Sequence, residues 1–186
     1  MSFEFEYSFE EKLFSKTLDE ALQDYQFSYE ENPINSSVKD FLSNQGLQDL
    51  INSKSSGEMN LLLGSILMKQ VGRYLPSFPV MENLLARYVL NSNHTGPKIS
   101  EQTTFSFSWK SQLNIMKQND EIFMKGEMRH IPFAPDVDWI LAPLDEEKIL
   151  LIKTEILSEQ FKNESSIDLT YPLYKTTLDT IKIDDE

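Results

Sequence analysis

Side chains able to do chemistry are few in this sequence. Histidine occurs only as His94 and His130. His130 lies in the run MRHIPF, where an imidazole could exchange a proton near neutral pH or stack on an aromatic ligand, although a lone strand histidine equally suits a surface or a satisfied core position. Trp109, beside Ser108, could lie against a planar ligand or fill a core or barrel end. Cysteine is absent, which removes disulfides, thiolate catalysis and the usual zinc sites. No His/Asp/Glu spacing matches a metal site. The serines sit in no Gly-x-Ser-x-Gly elbow, and neither histidine has an acidic partner that the sequence singles out, so a hydrolytic triad has no support. The 6 glycines form neither a phosphate loop nor a dinucleotide fingerprint.

The elements that must carry these residues belong to an ordinary globular chain. With 186 residues, 40% hydrophobic and 25% charged, it has room for one sizeable core or two small ones. The 30 acidic against 17 basic residues give a net charge of -13, which repels phosphate backbones and anionic membrane surfaces and argues against a nucleic-acid partner. The acids are scattered and read as a solvated surface. The N-terminal MSFEFEYSFEEK has no basic n-region, and no stretch approaches the roughly 18 apolar residues of a membrane span. The expectation is a cytoplasmic protein without a membrane segment.

Hydrophobic periodicity divides the chain. Phe9, Leu13, Leu18, Ala21, Leu22 and Tyr25 recur at helical spacing, predicting a first amphipathic helix. Ser36 or Ser37 is placed to cap a second, short helix through Val38, Phe41 and Leu42, ended by Gly46. The run GEMNLLLGSILMKQVGRYL predicts a buried helix with Met59, Leu62, Leu63, Ile66, Leu67 and Val71 as its stripe. After a turn between Pro76 and Pro79, Val80, Leu84, Leu85, Tyr88 and Val89 predict a fourth helix. Beyond Lys98 the period becomes two, first in Thr104–Trp109 and Leu113–Met116 and then in EIFMKG, MRHIPF, WILAPL, KILLIKTE, IDLTYPLYK and TTLDTIKID. The fold class expected is therefore α+β: an all-helical domain over residues 1–98, then an antiparallel β-barrel or sandwich over 99–186. The terminal Asp184, Asp185 and Glu186 read as a solvated tail.

Several of these landmarks, in this order, resemble the acyl-CoA dehydrogenases. KQVGRYLPSFPVM, from Lys69 to Met81, is similar to that family's Glu-x-x-Gly-Arg helix end and proline turn, with Lys69 or Gln70 where the family has glutamate. GEMRHIPFAPDVDWILAP is similar to the strand-turn-strand signature of the family, with Gly126, Ile131, Ala134, Asp138 and Pro143 in register. Asp168-Leu169-Thr170 and Leu178 to Ile183 look like its closing barrel strands, and Phe9 to Leu13 sits where its first helix begins. The resemblance covers nearly the whole chain and implies a helical N-terminal domain followed by the middle β-barrel domain.

What the resemblance implies about chemistry is FAD-dependent oxidation of an acyl-CoA thioester, in which a glutamate base takes a Cα proton while the flavin accepts hydride. That base lies in a C-terminal helical domain, so the resemblance implies a need for such a domain, or for a second subunit chain that supplies it. It maps FAD contacts onto Ser108, Trp109, His130, Ile131 and Pro132. Two departures weigh on that map. Only Lys110-Ser111-Gln112 separates Trp109 from Leu113, so the family's anion-cradling loop is shortened away, and Pro132 in the family's threonine position brings neither a hydroxyl nor an N–H. An alternative follows, a non-catalytic binding or assembly subunit that keeps the scaffold and has lost flavin binding.

Overall fold

The computed structural model describes residues 7–23, 36–45, 47, 57–74, 78–92, 100, 102–119, 121–166 and 171–183. Tyr25, Pro33, Gly46, Pro76, His94, Pro97, the Asp168–Thr170 segment and the Asp184–Glu186 tail lie outside them. The chain forms two compact units, Met1–Pro97 and Lys98–Glu186.

The first unit holds helices α1 (Phe9–Leu22), α2 (Ser36–Asn44), α3 (Gly57–Tyr74) and α4 (Val80–Ser92). A capping box starts α1: the Glu11 N–H donates to Ser8 Oγ at 3.2 Å and the Ser8 N–H donates to Glu11 Oε2 at 2.7 Å. Two otherwise orphaned donors are satisfied reciprocally. Leu18 and Leu22 are buried, Leu18 in a core with Leu42, Leu47, Ile66, Leu67, Phe78, Val80 and Leu84. Phe9 and Leu13, expected on the same stripe, are instead 80% and 56% exposed. Leu18 and Leu22 of the expected stripe are thus buried, and toward the start of the helix the partly buried Phe14 packs on the core in place of Leu13, while polar contacts join α1 to α3. Gln70 Nε2 donates to Ser15 Oγ at 2.8 Å, and Arg73 Nη1 and the Tyr74 hydroxyl both donate to Asp19 Oδ1 at 2.7 Å.

In α4 the expected apolar face is also revised. Tyr88 is 47% exposed, while Glu82, Asn83 and Arg87 are buried. Charged groups tolerate such burial only when engaged, and none of the three is without a partner.

The second unit contains β1 (Phe105–Phe107), β2 (Lys110–Gln118), β3 (Glu121–Pro132), β4 (Trp139–Pro143), β5 (Ile149–Lys153), β6 (Lys162–Glu164) and β7 (Leu173–Ile183). They form a sheet of order β1-β4-β5 and another of order β2-β3-β7-β6. All pairs are antiparallel except β1 with β4, which run parallel. The two sheets meet where β1 touches β3 and β2 touches β4, and the buried residues Phe105, Leu113, Met124, Met128, Ile140 and Leu178 come from both. EIFMKG and MRHIPF, which read as separate runs, form the single strand β3, and the short β6 had no alternating signal.

Strand β3 is not regular. Asn119, at φ 51°, makes the left-handed turn that joins β2 to β3, with Gln118 opposite Glu121. Opposite β7, the register shifts once between Met124 and Gly126 and again between Met128 and Ile131. At the second shift Arg129 and His130 together face the single residue Lys175, which is a β-bulge. Gly126 sits at φ 141°, and a Cβ there would stand 2.0 Å from the Gln112 carbonyl oxygen on β2. Backbone, not a movable side chain, excludes every other residue.

Gly126→Ala should therefore destabilise the β unit by about 2–4 kcal/mol, combining a strained φ with overpacking against main chain. Urea unfolding followed by circular dichroism measures it. An unchanged midpoint would mean that β2 can move away at no cost.

Candidate functional site

The residues that the resemblance singled out converge at one end of β3. Lys110 of β2 pairs with Arg129, so Trp109 and His130 each lie one residue past that pair. Ser108 joins β1 to β2: its N–H donates to the Leu141 carbonyl at 2.9 Å, and its hydroxyl donates to the carbonyls of Lys110 at 3.0 Å and Arg129 at 3.4 Å. Lys110, Ser111 and Gln112 belong to β2 itself, leaving Ser108 and Trp109 as the connection.

Of the five residues, two face outward. Ser108, Ile131 and Pro132 are buried, whereas Trp109 is 49% exposed and the His130 side chain 47%. Trp109 rests on Phe107 with ring centroids 5.6 Å apart and planes at 28°. The exposure of His130 is a product of the bulge. Met124 and Met128 point inward along β3, so an unbroken strand would carry residue 130 inward too. The extra residue, with His130 at φ 54°, turns the imidazole outward and hands the inward position to Ile131.

A carboxylate from β6 holds this bulge. Arg129 Nε and Nη2 donate to Glu164 Oε1 at 2.8 and 2.6 Å. The His130 N–H donates to Glu164 Oε2 at 2.8 Å, and His130 Nδ1 lies 3.1 Å from the same oxygen. The Glu164 side chain is only 7% exposed. Burial by itself would raise its pKa, but the His130 amide and the Arg129 guanidinium together outweigh burial and hold the carboxyl below its ordinary value. Neither Arg129 nor Glu164 was singled out in the sequence. They are 35 positions apart and meet only through the β3–β7–β6 ladder.

Little of the site's polar capacity is left for a ligand. The Ser106 hydroxyl donates to the Pro132 carbonyl at 2.5 Å, and the Ser108 hydroxyl is spent on two carbonyls. Pro132 brings no donor. The face thus exposes an indole and an imidazole, while the hydroxyls of Ser106 and Ser108 are engaged with main-chain carbonyls. Among the described residues no group of three or more metal-ligating side chains occurs, and no helix is long and apolar enough to cross a membrane. A separate open cleft of about 400 Å³ is lined by residues that include Val137, Trp139, Lys153 and Ser158.

Asp138 proves to be structural. Its Oδ2 accepts the Thr104 N–H at 2.7 Å and the Thr104 hydroxyl at 2.8 Å, tying the start of β1 to the start of β4.

No protein-family profile matches the sequence, and no curated protein does. Solved structures match its fold. The ChsE4-ChsE5 complex from Mycobacterium tuberculosis aligns at 12% identity and TM-score 0.70 over 98% of this chain and 57% of that one. An acyl-CoA dehydrogenase from Geobacillus kaustophilus aligns at 11% and 0.62 over 95% and 57%. A structure described as an FAD-dependent dehydrogenase aligns at 10% and 0.64 over 97% and 56%. The chain therefore has an acyl-CoA dehydrogenase-type fold, and it spans little more than half the length of the proteins it matches.

The lowered Glu164 pKa has a pH consequence. Because the folded state holds this carboxyl less protonated than the unfolded state does, its contribution is present above the ordinary glutamate pKa of about 4.3 and is lost as pH falls through the folded value. Glu164→Gln should cost about 1–2 kcal/mol at pH 7 through the weakened hydrogen bonds. In urea titrations the gap between wild type and variant should narrow steadily from about pH 5 down to about pH 3. A gap independent of pH would show that the carboxylate charge is immaterial.

Proposed function

We propose that this chain supplies the helical and β-domain part of an acyl-CoA dehydrogenase-like flavoprotein, for FAD-dependent oxidation of an acyl-CoA thioester. The observation that carries this reading is the fold match, which takes in 95–98% of this chain but only 56–57% of the proteins matched. The catalytic base and the remaining cover for flavin and acyl chain would come from a further helical domain, on the same gene product or on a partner chain. That one neighbour is described as a complex of two proteins, ChsE4 and ChsE5, is in keeping with a partner. In this reading Ser108, Trp109, His130, Ile131 and Pro132 line the flavin side of the β unit, with Trp109 and His130 in contact and the others shaping the backbone beneath.

A second reading is favoured by a specific observation. The Ser108 hydroxyl is consumed by the Lys110 and Arg129 carbonyls, and Pro132 has no donor, so the scaffold would persist as a non-catalytic binding or assembly subunit. In that case the exposed Trp109 and His130 would meet a protein partner instead of a cofactor.

Purification of the native gene product, with its mass and its visible spectrum, separates the two. The first reading expects a yellow protein, either longer than this chain or associated with a second chain, that is bleached by dithionite. A colourless product of 186 residues, whose tryptophan fluorescence does not change on FAD titration with or without its co-purifying chain, would overturn it.

A further inference from the structure

We infer that Glu164 is a positioning residue that biases the His130 imidazole toward its Nδ1–H tautomer and so presents Nε2 outward as a hydrogen-bond acceptor. Three observations carry this. His130 Nδ1 is 3.1 Å from Glu164 Oε2; this is a close contact and not an aligned hydrogen bond, but a neutral ring with its lone pair on Nδ1 would set that pair against an ionised oxygen, which favours the proton on Nδ1. The carboxylate cannot swing away. Its Oε1 takes two bonds from Arg129, and its Oε2 takes the His130 N–H at 2.8 Å, so the carboxylate is held in place beside the ring of the same residue. Finally, Glu164 is 7% exposed while the His130 side chain is 47% exposed. The ring edge facing Glu164 is the covered one, and the edge carrying Nε2 is the open one.

The chemistry at this face follows from that orientation. Ser106 and Ser108 spend their hydroxyls internally, so the Nε2 lone pair is an acceptor at the same end of the β2–β3 ladder as the exposed Trp109. Such a pair takes a planar ligand edge bearing an N–H or O–H, and it gives a bare anion no donor while the ring is neutral. The identity of that ligand as a flavin rests on the flavoprotein reading; the tautomer does not.

Imidazole nitrogen shifts test it directly. With only two histidines in the chain, His94→Gln leaves the His130 ring alone in a long-range 1H–15N spectrum. At alkaline pH the expected pattern is a protonated Nδ1 and an unprotonated Nε2, opposite to the form that an unrestrained histidine favours. Glu164→Gln, checked for folding by amide dispersion, should lose that bias and move the ring toward Nε2–H, while Glu164→Asp should restore part of it. A wild-type ring found mainly as Nε2–H overturns the inference whether or not the variants fold, and so does a folded Glu164→Gln protein with an unchanged tautomer. No flavin enters the measurement. An unsuccessful FAD titration therefore removes the cofactor reading alone, and a wrong tautomer removes this one alone.

Discussion

Strand β3 has a hydrogen-bonded neighbour along each edge, β2 on one side and β7 on the other, and the geometry of the β unit follows from that confinement. A strand held on both sides cannot bend by fraying. It bends by bulges and by close backbone approach, and β3 shows both: a register shift at Met124/Gly126, another at Met128/Ile131, and a glycine whose Cβ position is taken by the Gln112 carbonyl. The first places its extra residue on β7 and leaves Met124 and Met128 of β3 both inward; the second places it on β3 and changes which of its residues point inward. The second makes Ile131 a core residue and expels His130, and the Glu164 carboxylate then satisfies the amide and side chains that the bulge has displaced.

The same bending accounts for the hydroxyls of β1. Thr104, Ser106 and Ser108 alternate with Phe105 and Phe107, and all five are buried. An alternating strand normally turns its polar side to water; this one turns it to carbonyls and a carboxylate that the irregular neighbours leave open. Ser106 serves Pro132, Ser108 serves Lys110 and Arg129, and Thr104 serves Asp138. Burying a hydroxyl without a partner costs more than a hydrogen bond returns, so these groups are committed to the fold before any ligand arrives. Side chains whose types suggested a cofactor surface are in this way largely absorbed by the scaffold.

How much of this was legible depends on the range of the interaction. The helices follow from local apolar spacing, and α3 and α4 begin and end within a residue or so of where the pattern and the prolines put them. In α1 the buried Leu18 and Leu22 were legible and the exposure of Phe9 and Leu13 was not, since the contacts of Gln70, Arg73 and Tyr74 with this helix come from α3. Apart from the short β6, strand existence was readable from period two, and strand continuity was not, since a bulge resets the parity and looks like a break. The site divides in the same way. Ser108, Trp109, His130, Ile131 and Pro132 lie at one end of β3, whereas Glu164, in a polar FKNESS stretch that reads as a turn, reaches His130 only through the strand pairing.

At 10–12% identity, almost nothing of the matched proteins' residue chemistry has to survive for their chain path to be shared. What holds the path is positional: apolar residues at the right period, one glycine where two strands touch, and a carboxylate under a bulge. Such requirements specify where a side chain must be small, oily or charged, and say little about a flavin or a thioester. A catalytic surface needs donors that remain uncommitted after folding, and at this face the serines and the proline have none to give. His130 adds an acceptor instead, since with its proton on Nδ1, beside Glu164, the other ring nitrogen carries a lone pair. On the proposed tautomer, this end of the β unit would meet a ligand through that acceptor and through the exposed indole of Trp109.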